Sequence, residues 1–218
     1  MMLLQTRTAV IILLLSIVVI RAESEANFFG SDLFNDTTST NFTEFVVNGQ
    51  RAAVGNYPWF TQVSINQNGY LNNICGGTLI NKHWVLTAAH CVHNAKYTVE
   101  IGRYSDKDNT NVKYRDVDYV CKNKKFSPST FENDIALFRL SAPVRNVQTV
   151  DYGELTSFYT NMPFKVIGFG ATDAENKNYP TTLLEGDVFY VSNKCCGQKW
   201  QTYIDDSKVC TAGYDMQE

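Results

Sequence analysis

Tyr97-Thr98-Val99-Glu100-Ile101 alternates apolar and polar side chains over five residues. Successive side chains of an extended chain point to opposite faces, so this pattern predicts a strand with one buried face. Similar short runs lie on both sides of it: Trp59–Ile65, Asn73–Ile80, Val112–Val120, Ile135–Leu140, Phe164–Phe169 and Asp187–Ser192. Each is rich in Val, Ile, Tyr or Phe, and Asn, Gly, Asp or Pro clusters punctuate the turns between them. No long helical period and no internal repeat is visible. Many short strands with such punctuation predict an all-β protein, barrel or sandwich.

The chain has 218 residues, 44% apolar and 19% charged, which suits one large domain or two small ones and excludes general disorder or a coiled coil. Acidic residues number 22 and basic residues 19, so nothing points to nucleic acid as a partner. The acidic surplus is uneven. Glu23, Glu25, Asp32, Asp36 and Glu44 fall in residues 23–45 without a base, whereas 17 acids balance 17 bases from residue 46 onward.

The N-terminus sets the compartment. Arg7 precedes an apolar run of 12 residues, Ala9 to Ile20, and Arg21-Ala22 leads into polar sequence. This is the layout of a secretory signal peptide over residues 1–22. A retained signal anchor is the alternative, but the run is short for a span of ~20 residues. Residues 23–45 are dominated by Asn, Asp, Ser and Thr and read as a flexible acidic leader. Two glycosylation sequons lie there, at Asn35 and Asn41. The remaining 46–218 form the expected domain of a secreted, extracellular protein with no membrane association after signal cleavage, where disulfides persist.

Two residues carry candidate chemistry. His90 closes the run Trp84-Val85-Leu86-Thr87-Ala88-Ala89-His90-Cys91, and Asp134 lies in Asn133-Asp134-Ile135-Ala136-Leu137. A histidine acts as a general base when a carboxylate holds its other ring nitrogen. Read singly, His90 also suits a core histidine with satisfied hydrogen bonds, and Asp134 a turn residue. Sequence spacing does not join them. His90-Cys91-Val92-His93 offers metal-ligand types, but no second cluster completes a tetrahedral set, so no metal and no cofactor is expected.

Taken in order, Val46-Val47-Asn48-Gly49, Cys75-Gly76-Gly77-Thr78-Leu79-Ile80, Leu86-Thr87-Ala88-Ala89-His90-Cys91 and Asn133-Asp134-Ile135-Ala136-Leu137 resemble a chymotrypsin-family (trypsin-like) serine protease. Weaker matches are Gly168-Phe169-Gly170 and Cys196…Trp200…Cys210. The resemblance runs from Val46 to Glu218. It implies two six-stranded antiparallel β-barrels with the active site in the crevice between them. The second barrel would be incomplete, because the segment falls short of the roughly 200–250 residues such a domain runs. His90 would be the general base and Asp134 the carboxylate that orients it. The family's nucleophile lies in a Gly-Asp-Ser-Gly-Gly stretch, and no Gly-x-Ser-x-Gly occurs in the 218 residues. The chain as written is therefore expected to lack the serine and the oxyanion hole and to be inactive, as an incomplete sequence of a secreted serine endopeptidase.

The alternatives are a non-catalytic protease homologue that binds a partner protein through the cleft surface, and a secreted glycoprotein fragment with no activity. Expected partners are protein or peptide substrates, an activating protease and protein inhibitors. Val46 would become the new N-terminus on activation, although Phe45 stands where the family usually has Arg or Lys. The resemblance also implies disulfides Cys75–Cys91 and Cys196–Cys210. Subtraction would then pair Cys121 with Cys195, against the alternative of free thiols or a bond to another chain.

Overall fold

The computed structural model describes residues 49–153, 157–170 and 179–213. Six of its strands, β2 (Phe60–Gln67), β3 (Tyr70–Asn81), β4 (Trp84–Thr87), β5 (Tyr97–Ile101), β6 (Lys113–Lys122) and β7 (Ala136–Leu140), carry most of the runs read from the sequence. They close in the order β2-β3-β4-β7-β6-β5 into an antiparallel barrel. Closure leaves no open sheet edge around the ring. Val63, Leu79, Val85, Val99 and Phe138, one from each of β2, β3, β4, β5 and β7, point inward and are fully buried. Strand β6 adds only the partly buried Val117 and Val120 to this core.

Strand β5 departs from its sequence pattern. Tyr97, Val99 and Ile101 face the core as expected, but Thr98 and Glu100 are buried too. The chain reverses at Gly102, whose φ of 77° suits glycine, and Arg103 folds back over the polar face. The guanidinium pairs with Glu100, its Nε donating at 2.6 Å, and Ser64 donates to the same carboxylate at 3.1 Å. Thr98 meanwhile donates to Asp116 at 2.7 Å. A buried charge is tolerated when paired and hydrogen-bonded, and this cluster meets that condition.

The remaining strands, β1 (Gln50–Arg51), β8 (Pro163–Gly168), β9 (Leu184–Val191) and β10 (Cys210–Ala212), form a second, open antiparallel sheet. β8 lies along one edge of β9, while β1 and β10 share the other. Among the described residues this sheet does not close, so a second six-stranded barrel is not seen. Helix α1 (Asn193–Trp200) follows β9, with Ser192 as N-cap accepting from the Cys195 amide at 3.3 Å. No helix among the described residues is long and apolar enough to cross a membrane.

Both disulfides implied by the resemblance are formed, Cys75–Cys91 and Cys196–Cys210, with Cα separations of 6.2 and 6.3 Å. The Cys121–Cys195 pair is not. Both residues are free and exposed. Consecutive helical side chains point about 100° apart, so on α1 the buried Cys196 turns toward β10 while Cys195 turns to solvent. Cys121 sits on β6 of the barrel rather than on the second sheet. Val46, Asn35 and Asn41 lie outside the described residues.

Candidate active site

Antiparallel pairing of β4 with β7 creates the site. Thr87, the last residue of β4, faces Ala136, the first of β7. The chain leaving β4 and the chain entering β7 therefore meet at one end of the barrel. His90 lies three residues past Thr87, in the 3-10 turn Ala89–Cys91, and Asp134 lies two residues before Ala136. Residues 44 apart in sequence are thereby brought together.

Asp134 grips His90 twice. Its Oδ1 accepts the His90 backbone N–H at 2.8 Å, and its Oδ2 lies 2.6 Å from Nδ1. Both carboxylate oxygens are used, so the imidazole is fixed relative to its own backbone. The side chains are 27% and 15% exposed, which leaves the ring accessible and largely shields the carboxylate. With Nδ1 committed as the donor to Asp134, Nε2 is left as the basic nitrogen.

Two further contacts frame the ring. The Cys75–Cys91 disulfide ties the His90 turn to β3, and Nε2 stands 4.0 Å from Cys75 Sγ. Phe131 meets the imidazole edge to face, with centroids 5.7 Å apart and planes at 68°. Phe126 packs on Phe131 in turn, and the Lys122 ammonium sits 4.6 Å over the Phe126 ring. Ligand atoms of Cys75, His90 and Cys91 all lie within 4.8 Å of one another, but both sulfurs are held in the disulfide and are not thiolate ligands. Sequence reading did not single out Phe131. Its place three residues before Asp134 was the one available signal.

This arrangement, an accessible imidazole oriented by a shielded carboxylate at the rim of a closed barrel, has a counterpart in a known family. The family model described as trypsin matches residues 46–217. The chain belongs to the trypsin family. Among solved structures it is similar to neuropsin, a serine protease expressed in the limbic system of mouse brain. The TM-score is 0.68 at 26% identity, over 77% of this chain and 74% of that one. Membership makes the chain a trypsin-like serine protease by family, and proteases of this family act on protein substrates.

Proposed function

We propose that this trypsin-family chain belongs to a secreted serine endopeptidase made as a precursor, with His90 as general base and Asp134 as the group that orients it. The observation that carries the reading is the two-point grip of Asp134 on His90, with Nδ1 2.6 Å from Oδ2. In the reaction, a serine hydroxyl attacks the peptide carbonyl carbon as Nε2 takes its proton. The imidazolium is stabilised by Asp134, and Nε2 then delivers the proton to the leaving amine as the C–N bond breaks. Water repeats the sequence on the acyl-enzyme and releases the acid.

The serine is the part not found: no Gly-x-Ser-x-Gly occurs in the 218 residues. A polypeptide of these residues alone is therefore expected not to turn over peptide substrates. Secretion rests on the Ala9–Ile20 run, and glycosylation at Asn35 and Asn41 on their sequons. That the family match begins at Val46 supports a leader ending at Phe45 and Val46 as the N-terminus after activation. A non-catalytic homologue that binds a protein partner is the second reading, favoured by Phe45 standing where the family usually has Arg or Lys before the activation N-terminus.

The test is labelling by a fluorophosphonate, which reacts with an activated serine. A chain carrying these residues, continued through the family's Gly-Asp-Ser-Gly-Gly stretch to the end of its second barrel and cleaved before Val46, is expected to label, and its H90A variant to label at least ~10²-fold more slowly. Undiminished labelling of H90A would overturn the role given to His90. No labelling of the parent chain would favour the non-catalytic reading.

A further inference from the structure

The segment that delivers Asp134 is strained. Phe131 and Asn133 both adopt left-handed backbone conformations, with φ of 53° and 56°. Asparagine tolerates this region, but a bulky residue such as phenylalanine enters it only where the surroundings impose it. Part of that constraint is local: the Phe131 amide donates to the Ser127 carbonyl at 2.7 Å, and the Ser127 amide to the Glu132 carbonyl at 3.1 Å. Another part crosses from the other half of the molecule. The Asn133 amide donates to Ser207 Oγ at 3.2 Å.

Ser207 suits the task of an anchor. Its hydroxyl proton goes to Asp205 Oδ1 at 2.7 Å, so the lone pairs on Oγ remain for Asn133. Donation to a carboxylate also polarises the hydroxyl and makes it a better acceptor. The Ser207 hydrogen bond holds the Asp205 carboxyl below its ordinary range, with Lys208 contributing at 3.3 Å. Asn193 on α1 fixes the turn, its Nδ2 donating to the carbonyls of Asp205 and Lys208 at 2.9 and 3.1 Å. The acceptor is thus mounted on a braced turn between α1 and β10.

We infer that Ser207 is a positioning residue: by holding the Asn133 amide it fixes the backbone that carries Phe131 and Asp134, and so keeps the His90 imidazole between them. One side of the ring is held by the Asp134 hydrogen bond and another by the Phe131 ring. Both groups stand within two residues of the anchored amide. The importance of this device for catalysis rests on the function proposed above; the geometric claim does not.

The test is proton exchange followed by NMR on the whole chain, comparing wild type with S207A and S207T. Removing one hydrogen bond is expected to speed exchange of the Asn133 amide about tenfold in S207A, and to speed loss of the His90 Nδ1 proton to solvent by a similar factor. S207T keeps the hydroxyl and is expected to restore both. Amides of Val99 and Phe138, in the barrel core, are expected to exchange as in wild type. An S207A protein with unchanged His90 Nδ1 exchange would overturn the role, as would S207T that fails to restore it. Should S207A lose protection in the barrel core, D205A decides, since it keeps Ser207 but removes the acceptor that directs its hydroxyl. Faster Nδ1 exchange with intact core protection then supports the role, and unchanged exchange overturns it. None of these readouts requires hydrolysis, so the failure of serine labelling and the failure of this anchor are separately visible.

Discussion

Tyr57 and Glu185 form a second polar contact whose two members are far apart in sequence, and it governs how the protein meets alkali. Glu185 on β9 is 8% exposed, and an unpaired carboxylate at such a place is costly. The Tyr57 hydroxyl donates to its Oε2, and Gln50 Nε2 donates to Oε1 at 3.3 Å. Burial pushes the Tyr57 phenol well above its ordinary value, and the adjacent Glu185 carboxylate pushes it further. An unfolded tyrosine loses its proton near pH ~10, while the folded protein keeps this one. Above that pH the unfolded state binds fewer protons than the folded state, so stability falls as pH rises. The contribution is complete below pH ~10 and drains away above it. Tyr97, raised by burial, acts in the same direction. Tyr57→Phe is expected to cost about 1–3 kcal/mol at pH 7, because Glu185 loses a partner. It is also expected to lose less additional stability than wild type between pH ~10 and 11.5. Urea unfolding at neutral pH checks the first part, and at the two ends of the alkaline range the second; an alkaline loss equal to that of wild type would refute the assignment. Nothing in the sequence announces this pair, since Tyr57 and Glu185 are 128 residues apart and each has the look of an ordinary strand or loop residue.

At the level of elements, legibility followed length and period. β5 was readable because five residues alternate, but the burial of Thr98 and Glu100 was not, since it depends on Arg103 returning after Gly102. α1 has eight residues, about two turns, too few for a helical period to emerge; its Ser192 cap and the Cys196–Cys210 disulfide help to hold it. β4 was hidden inside the His90 run, being four residues long. The β3–β4 contact nevertheless decides where His90 sits, and one glycine permits it. A Cβ at Gly77 would lie 2.9 Å from Val85 Cγ1 and 3.0 Å from the Leu86 carbonyl oxygen. The strands can approach only if that position has no side chain. Gly77→Ala is expected to destabilise by about 1–3 kcal/mol, the cost of overpacking a core. Gly76→Ala, whose Cβ would find Phe60 Cε2 at an ordinary 3.8 Å, is expected to stay within about 0.5 kcal/mol of wild type. Thermal melts of the two neighbours provide the comparison, and equal effects would show that the close approach is not what limits position 77.

For the whole molecule, the His90–Asp134 pair was legible only through resemblance, because proximity comes from β4 lying beside β7. Ser207 gave no sequence signal, since its contact joins the barrel to the turn before β10. The two halves also meet along a seam near Leu183. Across it the Leu183 amide donates to the Tyr104 carbonyl at 2.7 Å, while the Ala52 amide, just past β1, donates to the Leu183 carbonyl at 3.0 Å within the second half. Leu183, Ala52, Tyr57 and Phe60 form a buried cluster, with Ile167 and Phe169 packed beside it. The barrel core of Val63, Leu79, Val85, Val99 and Phe138 is a separate buried cluster, linked to the seam through the partly buried Trp59, which packs against both. The two clusters therefore have different consequences when cut. Leu79→Ala and Leu183→Ala remove the same atoms from sites 0% and 2% exposed, and each is expected to cost about 2–5 kcal/mol. Leu79→Ala should lower the melting temperature of the barrel itself. Leu183→Ala should instead loosen the second sheet from an intact barrel, so that calorimetry resolves two transitions, the upper one close to that of the barrel in wild type. A single transition in Leu183→Ala would mean that the closed barrel cannot stand without the seam, and that the two halves fold as one unit.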